Sequence, residues 1–230
     1  MKNKSRHIAV FIPARGGSKG IPNKNIIKFA GKPLILHTIE YALESELVNE
    51  IIVSTDDDKI SIISKEAKAN VIKRPDEISG DSASTESAIK HYIDTAKVKP
   101  SIIILLQATS PIRPKNSLDN VIKYFKKNNF DSLLSISPTH RFFWRINKDN
   151  TIYSEYDYQN RQRRQDLSKK DLRFVENGSL YIFTVQQFNE NNNRLGGNIG
   201  YVEWPEEFSY EIDSYLDFEF VENIYKNINS

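Results

Sequence analysis

The chain has 230 residues, and its 32 Lys and Arg stand against 30 Asp and Glu, a net charge of +2. With 39% hydrophobic and 27% charged residues it can build a packed core, and the near balance of charge excludes the strongly basic footprint of a nucleic-acid binder. The absence of Cys removes disulfides, zinc–thiolate sites and cysteine nucleophiles.

The length fits one α/β domain. The apolar stretch after Met1-Lys2-Asn3-Lys4 is broken at Pro13-Ala14-Arg15, unlike a secretory signal. The longest apolar run, from Ile102 to Leu106, falls far short of the roughly 20 residues of a membrane helix. A cytoplasmic protein with no membrane and no nucleic-acid partner is expected.

In chain order, His7-Ile8-Ala9-Val10-Phe11-Ile12 reads as a buried first strand stopped by Pro13. A loop rich in Gly, Ser, Lys and Asn follows to Asn25. Leu34, Ile35, Ile39, Ala42 and Leu43 recur at helical spacing behind Pro33. Glu50-Ile51-Ile52-Val53-Ser54 is a second strand, and Thr55-Asp56-Asp57-Asp58 opens a helix carrying Ile60, Ile63 and Ala67. Asn70-Val71-Ile72 is a third strand, and residues 85–98 form a helix capped by Ser84 or Thr85. Residues 101–106 are apolar without alternation, as in a strand covered on both faces. A helix over residues 116–127 and a strand over 131–136 complete the rhythm, which predicts an α/β, doubly wound, mostly parallel sheet.

Residues 138–173 break that rhythm, with one short strand expected near 142–146. So long a stretch predicts a protruding subdomain or arm, suited to dimerisation. Strands resume at 178–183 and 200–203. Asp213 or Ser214 then caps a last helix reaching about residue 227.

Ligands of open α/β sheets gather beyond the carboxyl ends of the strands. After the first strand comes Pro13-Ala14-Arg15-Gly16-Gly17-Ser18-Lys19-Gly20-Ile21-Pro22-Asn23-Lys24-Asn25, with approachable backbone N–H groups and mobile cations of the kind a triphosphate needs. It matches neither the dinucleotide fingerprint nor the Walker loop. After the apolar strand, Gln107-Ala108-Thr109-Ser110-Pro111 fits a base edge, a sugar or a helix cap equally well. Ser82, Ser84 and Thr85 fit a ligand or a cap. Glu211 and Asp213 project from one side of an extended segment, an arrangement a hard cation shared with phosphates would stabilise; the competing reading is a cap completed by Asp217. The cations of Arg161-Gln162-Arg163-Arg164 lie among Asp157, Asp166 and Asp171 without interleaved aromatics, so they read as a charged face or an anion clamp rather than an RNA site.

As strings, these segments resemble the acylneuraminate cytidylyltransferases, the CMP-sialic and CMP-legionaminic acid synthetases. The resemblance rests on residues 12–25, Val53-Ser54-Thr55-Asp56, Arg74-Pro75, residues 106–113, Arg163-Arg164-Gln165, Asn177-Gly178-Ser179-Leu180-Tyr181, and the pair Glu211 and Asp213, in family order. It implies a single cytidylyltransferase domain with the fold of nucleotide-diphospho-sugar transferases, and a homodimer with an arm at residues 138–173. The implied reaction is transfer of CMP from CTP to a nine-carbon 2-keto sugar acid. By the same resemblance, Arg15, Gly17, Ser18, Lys19 and Asn25 hold CTP, and Arg74, Ser82, Ser84 and Thr85 line its base and ribose. Gln107, Tyr181 and Arg164 face the sugar acid. Asp213, assisted by Glu211, holds Mg²⁺ or Mn²⁺, and Arg15, Lys19 and Asp213 are the implied catalytic groups. Departures fall on the sugar side: Glu211 replaces a family Asp, and Val175-Glu176 stands where many members carry an Arg. Pseudaminic acid or the eight-carbon acid Kdo is the alternative acceptor, and a silent nucleotide-binding module the alternative class.

Overall fold

The computed structural model describes residues 7–167 and 172–229, leaving the side chain of Arg164 undescribed. β1 (Ile8–Pro13) alternates between two cores: Ile8, Val10 and Ile12 join one, Ala9 and Phe11 the other. β2 (Lys28–Phe29) and β3 (Lys32–Pro33) form a small hairpin leading into α1 (Leu34–Leu43). β4 (Glu50–Thr55) precedes α2 (Asp58–Glu66), whose first turn is capped by Asp57 accepting from the Ile60 N–H at 2.8 Å. Then come β5 (Asn70–Lys73), α3 (Thr85–Thr95), β6 (Ile102–Leu106), α4 (Leu118–Lys127) and β7 (Ser132–Thr139). β8 (Trp144–Ile146) and β9 (Ile152–Ser154) pair with each other alone, outside the main sheet. β10 (Arg173–Thr184), α5 (Val185–Asn191), β11 (Ile199–Glu203) and α6 (Tyr215–Asn229) close the chain.

Seven strands order as β11-β7-β10-β6-β1-β4-β5, all running the same way except β10, which is antiparallel to β6 and β7. The fold is therefore the expected mostly parallel α/β sheet. β6 lies at its centre with all five residues buried, which accounts for its unbroken apolar run. On one face it packs with α1, α2 and α4, and on the other with α3 and α5. The strand order reverses between β1 and β6, and that crevice is where ligands of such sheets bind.

A third, smaller core gathers Ile21, Phe29, Leu34, Ile112, Ile212 and Val221. It joins the glycine-rich loop to the segment carrying Glu211 and Asp213, residues about 190 apart in sequence. This satellite core is what lets two distant stretches share one cavity.

Several element ends differ from expectation. The helix predicted to residue 98 stops at Thr95, and α5 and the β2–β3 hairpin were not anticipated. β10 begins at Arg173 rather than Gly178, because the polar stretch Arg173 to Glu176 pairs with the far end of β7. Residues 138–173 hold two short strands where one was expected.

Candidate active site

A cavity of about 470 Å³ opens at the carboxyl ends of β1, β5 and β6. Ten of the residues singled out in the sequence line it: Arg15, Ser18, Lys19 and Asn25 from the first loop, Arg74, Ser84 and Thr85 from the far wall, Gln107 after β6, and Glu211 with Asp213 before α6. Gly17 and Ser82 lie outside its lining. Tyr181 sits behind the wall, 3% exposed, and the undescribed side chain of Arg164 belongs to the arm. A cavity of comparable volume, about 480 Å³, lies beside the arm and is lined by none of these residues.

The first loop is shaped by contacts from β4 and from within. The Gly16 N–H donates to Asp56 at 2.9 Å, and Asn25 donates its side-chain amide to the Arg15 carbonyl at 2.9 Å. Asn25 thus braces the loop from beneath. Gly20 is required by proximity: a Cβ there would lie 2.0 Å from the Asp213 carbonyl oxygen. Arg15 and Lys19 both reach Asp81, at 3.1 and 2.9 Å, and together hold its carboxyl below the ordinary range, Lys19 acting most strongly. Asp81 thereby occupies the position of an anion between two cations, and nothing in its local sequence announced it.

Arg74 is buried and donates to the Ser54 hydroxyl and carbonyl at 3.2 and 2.9 Å, closing the wall between β4 and β5. Ser84 is the cap of α3, accepting from the Ser87 N–H at 3.1 Å, while Thr85 begins the helix. Ser84→Ala is expected to cost about 1 kcal/mol of stability, the usual value of a lost cap. A denaturation midpoint equal to that of the unsubstituted protein would contradict that role.

Opposite lies β10, which breaks register with β7 between Glu176 and Tyr181. Asn177 fills the irregularity, accepting from Ser135 Oγ at 2.5 Å and donating to Ser137 Oγ at 3.1 Å. Such bulges commonly re-aim groups beside active sites. Here the Gly178 carbonyl accepts from Gln107 Nε2 at 2.8 Å. Gly178 has φ +65°, a conformation that favours glycine, and a Cβ there would lie 1.6 Å from Glu211 Oε1 and push that side chain aside. The Tyr181 hydroxyl donates to Glu176 at 2.5 Å, and the Arg194 guanidinium lies 4.9 Å from its ring centre. Burial pushes the Tyr181 hydroxyl pKa up.

Glu211 and Asp213 flank the fully buried Ile212, whose N–H donates to the Thr109 carbonyl at 2.9 Å. Lys24 donates to the Ile212 carbonyl at 2.8 Å and to Asp213 Oδ1 at 2.9 Å. Lys24 was quoted within the loop but not singled out; its side chain is only 12% exposed, a distinction its neighbours' composition does not reveal. Ser214 and Asp217 exchange hydrogen bonds as a capping box, so the cap and the carboxylate pair coexist, and Asp213 is left to face the cavity.

Burial, and then the charge of Asp213, push the Glu211 carboxyl up to about 7. An acid whose pKa rises on folding destabilises the fold wherever the unfolded chain is ionised. That cost is absent in acid, grows above the ordinary carboxylate range and is complete above about 7. In metal-free buffer, Glu211→Gln should therefore melt higher than the unsubstituted protein at about pH 8, with the difference closing toward about pH 5. A difference independent of pH would contradict the assignment.

Among the described residues no three His, Asp or Glu converge as a self-sufficient metal site. Two oxygen-donor carboxylates nevertheless suit Mg²⁺, which commonly takes one or two carboxylates and completes its shell with substrate phosphates and water. Burial and the neighbouring Asp213 charge both disfavour an ionised Glu211, and a cation between the two carboxylates would offset both.

The chain is an open, mostly parallel α/β sheet with a glycine-rich, cationic loop at its switch point. Its fold is that of a CMP:2-keto-3-deoxy-manno-octonic acid synthetase solved with CTP (TM-score 0.71, 19% identity, 96% of this chain and 99% of that one). It is equally that of a 4-diphosphocytidyl-2C-methyl-D-erythritol synthase from Anaerococcus prevotii (TM-score 0.65, 12% identity, 97% and 100%). A family model described as Cytidylyltransferase matches residues 9–227, and the chain belongs to that family. N-acylneuraminate cytidylyltransferase A of Danio rerio is 36% identical over 225 residues, 96% of this chain and 51% of that protein. The chain thus spans about half the length of the first such relatives it matches. Pseudaminic acid cytidylyltransferase of Campylobacter jejuni is 34% identical over 224 residues, 94% of each chain.

Proposed function

We propose that this protein transfers CMP from CTP to the anomeric hydroxyl of a nine-carbon 2-keto sugar acid, releasing pyrophosphate. The observation that carries the reading is the shared cavity. It brings Arg15, Lys19 and Lys24 from one loop, Gln107 from just beyond the central strand and the carboxylates Glu211 and Asp213 around one cavity, in a chain of the cytidylyltransferase family.

In the reaction, the anomeric oxygen attacks the α-phosphorus in line. The bond to the bridging oxygen of the β-phosphate breaks, and the hydroxyl proton passes to a carboxylate or to water. No covalent enzyme intermediate is needed, so catalysis rests on positioning and on offsetting charge. Arg15 and Lys19 exchange Asp81 for the phosphates of CTP, which carry more charge and more acceptor oxygens. Arg74, Ser84 and Thr85 face the base and ribose, and Gln107 faces the sugar acid. Asp213 and Glu211 would hold Mg²⁺ or Mn²⁺. When bound, the ion would supply charge neutralisation at the departing pyrophosphate. The exposed Trp144, Ile146, Ile152 and Tyr153 of the arm support a homodimer built through residues 138–173. A cytoplasmic location belongs to the same reading; no helix among the described residues is long and apolar enough to cross a membrane.

N-acetylneuraminate or a legionaminic acid is the preferred acceptor, on the names of the N-acylneuraminate relatives. Pseudaminic acid is the second reading, favoured by a relative matched along 94% of both chains. Pyrophosphate release measured with CTP, Mg²⁺ and each of N-acetylneuraminate, a legionaminic acid, pseudaminic acid and Kdo decides among them. Release with a nine-carbon acid is expected. Release with Kdo alone would overturn the acceptor, and silence with all four in a protein that binds CTP would favour a binding module.

A further inference from the structure

Arg113 lies behind the cavity wall, 7% exposed, and takes no part in the mechanism above. Its Nη2 donates to the Gln107 carbonyl at 2.7 Å and to the Ser179 carbonyl at 3.0 Å. Nε also donates to Ser179, at 3.3 Å, and Nη1 donates to Thr38 Oγ1 at 3.0 Å. Beneath it, the Tyr41 ring centre lies 5.4 Å from the guanidinium carbon. Every one of these acceptors is neutral. Among the described residues no Asp or Glu stands within ion-pair distance of Arg113, and the Glu211 carboxylate acts on it only from farther off.

Burial lowers its pKa, but only to about 10, so the group keeps its charge. A buried cation with no carboxylate in direct contact is a poor structural choice, since an apolar residue of similar volume would avoid the desolvation penalty. What the guanidinium offers instead is its fork. Gln107 ends β6, Ser179 lies in the bulge of β10, and one planar group holds both carbonyls. The Gln107 side chain then donates to the adjacent Gly178 carbonyl at 2.8 Å, closing the loop. Gln107, the residue assigned to the sugar acid, is thus tied from behind to the buried β10 bulge by one residue.

We propose that Arg113 is a positioning residue for the sugar acid. Its fork fixes Gln107 against the buried Gly178–Ser179 bulge, and so sets where the Gln107 side chain stands in the cavity. This rests on the reading that Gln107 faces the acceptor and not the nucleotide.

Arg113→Lys keeps the charge but replaces the planar fork with a single ammonium that cannot span the three acceptors. Arg113→Met removes both. The KM for the sugar acid is expected to rise at least about tenfold in the lysine variant and further in the methionine variant, because sub-ångström placement governs such sites. The Kd for CTP, titrated without acceptor, should stay within about twofold, and circular dichroism should stay native. Equal loss toward CTP and sugar acid, or an unchanged sugar KM in both variants, overturns the proposal. Should neither variant fold, Thr38→Val removes one acceptor of the same fork and should raise the sugar KM alone by about threefold, with no change counting against it. If the unsubstituted protein releases no pyrophosphate with any sugar acid, the functional reading falls first and this inference with it.

Discussion

Asp213→Asn is expected to lower turnover at least ~100-fold while leaving the fold intact, the usual consequence of removing one preorganised electrostatic group. The fold survives because an amide oxygen can still accept from Lys24, which also holds the neighbouring Ile212 carbonyl at 2.8 Å. The helix that follows is capped by Ser214 and Asp217, not by Asp213, so its start is undisturbed. What changes is the charge facing the cavity and, in the proposed reaction, the hold on a divalent cation. The loss should therefore lie in turnover and in the Mg²⁺ concentration required, with circular dichroism unchanged. Near-normal turnover at low Mg²⁺ would remove Asp213 from the metal assignment.

Gly20→Ala should lower turnover by a comparable factor, about 100-fold, for a different reason. The added methyl would lie 2.0 Å from the Asp213 carbonyl oxygen, a backbone atom that no rotamer change can move aside. Either the glycine-rich loop or the Glu211–Asp213 segment must shift by about an ångström, and displacement of that size commonly costs about 100-fold in rate. Lys19 and Asp213 approach the ligand from those two stretches, so their separation is the quantity disturbed. The packing of Ile21 and Ile212 in the satellite core resists relief of the clash and predicts a lowered melting temperature as well. Full activity in Gly20→Ala would mean that the two stretches do not act on one ligand.

The central sheet was readable because its physics is local. β1, β4 and β6 are short apolar runs stopped by Pro13, Asp56 and Gln107, and helices between them carry one apolar face. Strand direction was less so: β10 looks like its parallel neighbours in composition, and only its pairing with β6 and β7 makes it antiparallel. α5 escaped notice because it buries only Gln187 and Phe188, too few for a helical period to show. In the site, the glycine-rich loop and the carboxylate pair stood out as residue types. The partnerships of Lys24 with Asp213, of Asp81 with Arg15, and of Arg113 with Ser179 join residues far apart in the chain. The first and third of these depend on the satellite core and the β10 bulge, and neither has a signature in local composition.

The most direct test is a ³¹P spectrum of the protein incubated with CTP, Mg²⁺ and the accepted sugar acid, with intact-protein mass measured on a parallel sample lacking the acceptor. The mechanism predicts that the α-phosphate signal of CTP is replaced by that of a sugar phosphodiester together with pyrophosphate. It also predicts that nothing is released, and the protein gains no mass, when the sugar acid is left out. Pyrophosphate without acceptor, or a protein heavier by one CMP, would contradict direct in-line transfer within this cavity.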